Sequence, residues 1–273
     1  MKFKSIFIVF CTALLLFMTI IVIMKFIMLD VPLAQPYLRF SWLLLLVLAI
    51  FLVGFNVFYF TNRRLFLLLE KEDWPALSRY LENRVIKKGK YSPGLVSLLA
   101  KTYLLLSDAV AVMSLENKVA LAKPALVGKN AIIFGTARVL GKDISGAVRF
   151  FKAHKETAKA EHREWTYWYY GFALLLDRQF EEAAKEFSFL ARISKDAVIT
   201  GLSSYFLADT LAPLLPGNKD ELLEVSFAGR ERVRKALPLP KDWGTEISRF
   251  SSEIHIATIM KYIKEAGAWI YSE

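Results

Sequence analysis

Two apolar runs near the start of the chain constrain it more than anything that follows. Residues 5–29 are almost wholly apolar, broken only by Lys25 near the end, and residues 42–60 form a second run of spanning length that contains Gly54 and Asn56. Between them lies DVPLAQPYLR, a short turn with two prolines. A chain that is 55% hydrophobic is too apolar for an ordinary soluble protein, and these two runs account for the excess. A cleavable signal peptide is the rival reading of the first run. Its apolar core is longer than a usual signal core and no small-x-small site follows, so the segment is expected to stay.

The reading that results is a two-helix transmembrane hairpin over residues 1–61. Lys2 and Lys4 precede the first span and Arg63 and Arg64 follow the second, whereas the turn offers Asp30 and a single Arg39. By the bias of Lys and Arg toward the cytoplasm, both termini and everything after residue 61 are expected on the cytoplasmic side of a plasma (inner) membrane. Lys25 can snorkel to the far interface. The lone cysteine, Cys11, lies inside the first run after Val9 and Phe10, where a lipobox would need small residues; it leaves no disulfide framework and no Cys-cluster zinc site.

Residues 62–273 carry segments of helical period and no convincing strand alternation, which predicts an all-α region. Within it the stretch EWTYWYYGFALLLDRQFEEAAKEF, 164–187, has a partner 36 residues upstream: Gly135 answers Gly171, Ile144 answers Phe180, Ala147 answers Ala183 and Phe151 answers Phe187. A small residue in one helix lets the next approach closely, and an aromatic fills the space beside it, so the unit reads as a helical hairpin. A further 36 residues back, Leu99, Ala111 and Leu115 stand at the corresponding places, and KEDWPALSRYLENRV reads as the second helix of a still earlier hairpin.

These residues resemble the tetratricopeptide repeat family, whose pattern of aromatic, small and aliphatic positions falls on Tyr167, Tyr170, Gly171, Leu174, Arg178, Phe180, Ala183 and Phe187. Leu174 and Arg178 depart from the family's tyrosine and glycine, and Lys195 from its terminal proline. The resemblance implies a solenoid of helical pairs over residues 62–213. Residues 214–273 differ: after a Pro/Gly/Asn break they offer two helical segments separated by PLPKDWG, which are expected to cap the last hairpin as residues 221–273. In layout alone, a membrane hairpin followed by repeats is also similar to HemY-type bacterial inner-membrane proteins.

In the tetratricopeptide pattern, Tyr167, Tyr170 and Leu174 face the partner helix, while Trp165, Trp168, Phe172 and Leu175 fall on the other face, which in that family lines a concave groove. A helix apolar all round must be covered. The cover is either the chain's own superhelix and C-terminal segment or a partner's helix, and the second alternative makes Trp165, Trp168, Phe172 and Leu175 a candidate partner-binding groove.

Charge is uneven. Residues 62–273 hold 32 Lys/Arg against 25 Asp/Glu, and residues 118–163 alone hold ten against three. Arg149, Lys152, Lys155, Lys159 and Arg163 recur at helical spacing as a basic face suited to anionic lipid headgroups or an acidic partner. Nucleic acid is not expected, because basic residues do not interleave with the aromatics and no reading module is present.

Catalytic patterns fail on spacing. GTARVLGKD puts five residues between Gly135 and Gly141 where a P-loop needs four, and Asp143 stands where Ser or Thr is required. His154 and His162 lie eight apart near Glu161 without an HExxH motif, His255 stands apart, and no G-x-S-x-G occurs. Glu181 and Glu182 belong to a helix's first turn. The carboxylate-clamp residues of some tetratricopeptide proteins are replaced by Ile132, Thr136, Trp168 and Phe172. The expectation is therefore no catalysis, metal or cofactor, and a membrane-anchored scaffold or adaptor that binds another protein. The alternative is an integral accessory subunit or assembly factor of an envelope or motor complex, whose spans make the main contacts through Gly54 and Asn56.

Overall fold

The computed structural model describes residues 3–27, 35–156, 163–250 and 253–272, and these are helical with no strand among them. The chain divides into two compact units, Met1–Tyr80 and Leu81–Glu273.

In the first unit α1 (Phe3–Ile27) and α2 (Gln35–Glu70) run antiparallel. An aromatic ladder joins them: Phe10 meets Phe55 at 4.7 Å between centroids, Phe7 stacks on Tyr59 at 3.8 Å, and Phe3 meets Phe66 at 5.3 Å. Phe3–Met24 and Trp42–Glu70 are long and apolar enough to cross a bilayer, with mean hydropathies of 3.1 and 2.6 and none of either window buried by protein. Twenty-two residues span about 33 Å of helix, matching a hydrocarbon core. Asn56 turns inward, donating to the Leu52 carbonyl at 2.8 Å and toward Cys11 Sγ at 3.8 Å, which satisfies its amide without a partner chain. The second helix outruns the apolar stretch at both ends: NRRLFLLLE contains no Gly or Pro to stop it, so α2 continues past residue 61 to Glu70.

The second unit comprises the end of α3 (Trp74–Glu82), then α4 (Pro93–Leu105), α5 (Ala109–Ala122), α6 (Ala125–Lys129), α7 (Ala131–Leu140), α8 (Ile144–His154), α9 (Arg163–Leu176) and α10 (Phe180–Ile193). Next, α11 (Ala197–Tyr205) continues through a π-helical turn, Phe206–Leu211, into α12 (Ala212–Leu214). Helices α13 (Lys219–Ala236), α14 (Pro240–Arg249) and α15 (Ile254–Ile270) complete it. A third apolar stretch, Ala197–Leu214, also has spanning length, yet 61% of its window is buried inside this unit, against α10, α13 and α15.

One backbone device recurs along the chain. Glu72, Ser107, Lys142 and Arg178 adopt positive φ of 52°, 58°, 62° and 61°, at intervals of 35, 35 and 36 residues. After each of them the next N–H reaches back to a carbonyl five residues earlier: Asp73 to Leu68, Asp108 to Tyr103, Asp143 to Arg138, Gln179 to Leu174. This pattern closes a helix C-terminus and satisfies carbonyls left orphaned there. The residue then caps the following helix, with Asp73, Asp108 and Asp143 carboxylates accepting from the N–H groups of Ala76, Ala111 and Gly146.

The third unit is therefore misaligned by one residue in the sequence pattern. The 35-residue interval makes Ala100, Val112 and Glu116 the counterparts of Gly135, Ala147 and Phe151, in place of Leu99, Ala111 and Leu115. In the two units that do carry glycine, the close approach is real. A Cβ on Gly135 would lie 2.1 Å from Phe151 Cζ, and one on Gly171 would lie 3.1 Å from Phe187 Cε1.

The tail is only in part a terminal cap. α13 covers α10 and α11, and its Arg232 donates to the carbonyls of Ala191 and Ser194 at the end of α10, at 2.7 and 2.6 Å. α15 instead folds back along the array, touching α11 and, at its start, α4 and α7. Trp243 of α14 wedges between α11 and α15, where Gly201 and Gly267 leave room for its ring.

Candidate functional site

The aromatic face of α9 is core. Trp165 is 5% exposed, Trp168 0% and Phe172 6%, and only Leu175 is half-buried. Trp165 meets the edges of Phe250 and His255 at 5.9 and 5.3 Å, Trp168 stacks on Phe172 and faces Phe206, and Phe172 meets Tyr262 of α15 at 5.5 Å. The candidate partner groove at Trp165, Trp168, Phe172 and Leu175 is thus occupied by the chain's own C-terminal helices. The physical reason lies in α15, whose buried stripe of Ile256, Ile259, Ile263 and Ile270 supplies an apolar surface within the same chain.

At the start of α15 the Tyr169 hydroxyl donates to the His255 carbonyl at 2.9 Å and sits 3.2 Å from its Nδ1. Burial pushes the Tyr169 phenol well above its ordinary range. Nearby, Lys101 pairs with Glu253 at 3.1 Å beside a polar cavity of about 90 Å³ that Ser97, Asn130, Thr166 and His255 also line. The Lys101 ammonium in that cavity wall is thus neutralised, while Lys129, which also lines it, is exposed.

The repeat-packing residues are where close helix contact needs them. Gly135, Ala147, Phe151, Gly171, Ala183 and Phe187 are buried, and Phe180 is half-buried. The basic face does not hold together. Arg149, Lys152 and Arg163 are exposed, but Lys155 turns toward α9 and α10, pairing with Glu186 at 2.7 Å and lying over the Tyr167 and Tyr170 rings at 4.8 and 4.5 Å. An i, i+3 spacing fixes a side of the helix, and here that side meets a neighbour's carboxylate. Lys159 lies outside the described residues, as do Glu161 and His162. Tyr167 bonds Glu156, and burial followed by that carboxylate raises its phenol to about 12.

Two features escaped sequence reasoning. Arg138 Nη2 donates to both Glu116 carboxylate oxygens at 2.8 Å, its Nη1 reaches Asp143 at 3.2 Å, and its guanidinium lies over Phe150 at 5.2 Å. Burial raises the Glu116 carboxyl against the lowering effect of Arg138. In the corrected register Glu116 stands where Leu81, Phe151 and Phe187 stand, and Arg138 where Tyr103 and Leu174 stand. Two opposite charges at two core positions were the signal available. The second feature is a groove of about 580 Å³ between α10 and α13, walled by Lys185, Phe189, Arg192, Ile193 and Leu222. Phe189 is 46% exposed and Ile193 54%. Among the described residues no group of three or more His, Cys, Asp or Glu could hold a metal ion.

A family model described as an uncharacterised Treponema protein matches residues 111–272, from α5 to the end of α15. An uncharacterized protein of Treponema pallidum (strain Nichols) is 30% identical over 233 residues, covering 83% of this chain and 74% of the relative. No solved structure matches.

Proposed function

This chain belongs to the uncharacterised Treponema protein family, and on that premise we propose that it is a membrane-anchored scaffold, built as a tetratricopeptide-like solenoid, that holds another protein at the membrane surface. The observation that carries this reading is the turn repeated at 72, 107, 142 and 178, each closing one helix, the first three followed by an aspartate that caps the next. A backbone device recurring at 35–36 residues favours stacked helical pairs, whose use is to present an extended surface. α1 and α2 serve as two spans of an inner-membrane hairpin, with both termini and the helical unit cytoplasmic, an orientation supported by Arg63 and Arg64 directly after the second apolar run. The role is binding and not catalysis.

Because α15 fills the face of α9, the partner's segment docks elsewhere. The α10–α13 groove suits an amphipathic helix, with Phe189 and Ile193 as apolar anchors inside a rim of mixed charge: Lys185, Glu181 and the Arg192–Glu221 pair at 3.6 Å. The test is capture of the full-length protein from membranes in mild detergent, alongside Phe189→Ala with Ile193→Ala. A stoichiometric partner lost in a variant of unchanged helical content supports the reading. A partner retained in that variant removes the groove, and no stoichiometric partner removes the scaffold.

A second reading, an accessory subunit held through its spans, is favoured by Gly54, where an added Cβ would meet nothing within 4 Å. That leaves a small-residue surface on α2 open to another helix in lipid. Gly54→Leu that leaves assembly unchanged counts against it.

A further inference from the structure

Lysines gather on one edge of the helical unit, where α3 is linked to α4 and where α5 ends. Lys87 ends the π-helical turn Asn83–Lys87 that extends α3, and Lys88 and Lys90 follow it in the linker, which turns at Gly89 with φ +62°; the three lysines are exposed. Lys123, just past α5, donates to the Tyr91 carbonyl at 3.0 Å and so pins the end of α5 against that linker. Lys118 adds an exposed cation one turn earlier, and Leu121 between them is 90% exposed, the most exposed large apolar side chain in the described residues. Among the described residues Lys87, Lys88, Lys90 and Lys118 enter no ion pair, and the acids nearest in sequence are used elsewhere: Glu82 accepts from Tyr103, Asp108 caps the far end of α5, and Glu116 is buried on Arg138.

We propose that this edge is a docking surface for an anionic bilayer, with the lysines on lipid phosphates and Leu121 inserted among the headgroups. The inference rests on the membrane-anchored reading above. Three observations select a bilayer over a protein partner. The charges are of one sign and sit on the α3–α4 connection and toward the end of α5. Leu121, protruding between Lys118 and Lys123 at the end of α5, matches an interfacial anchor. The lysines also follow within about twenty residues of α2, the second helix able to cross a membrane, so a tether holds them near the surface they would touch. Juxtamembrane lysines gain from the negative potential of anionic lipid over roughly a Debye length.

The full chain is reconstituted into vesicles of phosphatidylcholine alone, or with about a third phosphatidylglycerol to supply surface charge. It carries Leu121→Cys in a Cys11→Ser background, labelled with an environment-sensitive fluorophore. The expected result is a blue-shifted emission in the anionic vesicles only, reversed by salt at about 0.5 M, where the Debye length falls to roughly 4 Å. Lys87→Gln, Lys88→Gln and Lys90→Gln together should lower the docked-to-free ratio on the order of a hundredfold, roughly fivefold per lysine. Flotation of the same vesicles in high salt separates the two readings. Failure to float overturns the membrane anchor and this inference with it, whereas flotation without the shift overturns the docking alone. A shift equal in both lipids and dependent on protein density identifies a second copy as the occupant and refutes the bilayer, and a shift that survives the triple substitution refutes the lysines' role.

Discussion

Replacing Gly135 by Ala tests whether the helical pairs are held as close as the structure has them. The new methyl would stand 2.1, 2.4 and 2.6 Å from three ring carbons of Phe151, where carbon pairs rest at about 3.5–4.0 Å, so the ring would have to move by well over 1 Å. It has nowhere to go: Phe151 is fully buried, stacked on Tyr169 at 5.7 Å and edge-on to Phe150 at 5.9 Å. Overpacking of this kind costs about 1–3 kcal/mol, and the upper end applies. Alanine returns about 1 kcal/mol of helix propensity, leaving a net loss of about 2 kcal/mol. Gly171→Ala is the internal control. Its methyl meets Phe187 at 3.1 Å, a strain relieved by a few tenths of an ångström, so propensity and crowding roughly cancel. For a unit of this size each kcal/mol is about 2–4 °C, and Gly135→Ala should melt about 4–8 °C below Gly171→Ala, followed by near-ultraviolet circular dichroism of the tryptophans in detergent. Adding Phe151→Leu to Gly135→Ala should recover part of the loss, with a favourable coupling of about 1 kcal/mol or more. A Gly135→Ala protein that melts at or above Gly171→Ala would refute the close approach.

Trp168→Ala should remove about 3–5 kcal/mol and the cooperative melt with it, because the side chain is fully buried, while Phe189→Ala on the open groove should change stability by less than about 0.5 kcal/mol; urea titration of both distinguishes core from surface. Arg138→Met strands the Glu116 carboxylate and should cost about 3–5 kcal/mol, whereas Arg138→Met with Glu116→Leu should restore most of it, as read by denaturant midpoints. His154 has its pKa held below 6.5, first by burial and then by the Arg138 charge, so the unfolded chain protonates it before the folded one does. Its contribution is therefore complete above pH 6.5 and lost as pH falls through the depressed folded value; melting at pH 8 and pH 5.5 should show a smaller acid loss in His154→Gln than in the parent.

What the sequence disclosed depended on how local the physics is. The apolar runs of α1 and α2 were legible because lipid compatibility is a property of one segment at a time. The pairs Gly135–Phe151 and Gly171–Phe187 were legible because each lies within a single helical pair and two adjacent copies agree. The preceding copy was misread because its turn comes one residue later than a 36-residue period places it and because Glu116 and Arg138 replace the apolar residues that mark the register. The fate of Trp165, Trp168 and Phe172 was illegible for another reason: their cover, α15, lies about ninety residues away in sequence. An apolar stripe on each of two helices does not state that they belong to each other. Lys155 likewise lay on the expected side of α8, but only the fold put Glu186 there.

The closure of the α9 face by α15 limits what the unit can offer a partner. Its open features are then its edges and the α10–α13 groove, and the edges differ in charge for a structural reason. Carboxylates such as Asp108 and Asp143 sit in the turns that begin α5 and α8, where they cap N-terminal amides, and lysines near the ends of those helices complement the opposite pole. That effect fades within one turn of a helix end. It accounts for Lys123 and for Lys155, each held against a neighbouring oxygen. It also covers Lys87 and Lys88, the last residue and the C-cap of the π-helical turn Asn83–Lys87 that follows α3, whereas exposed Lys90 lies two residues beyond that cap. Capping therefore explains the carboxylates at the helix starts and most of the lysines at the helix ends, and it leaves Lys90 as the cation that no helix end accounts for.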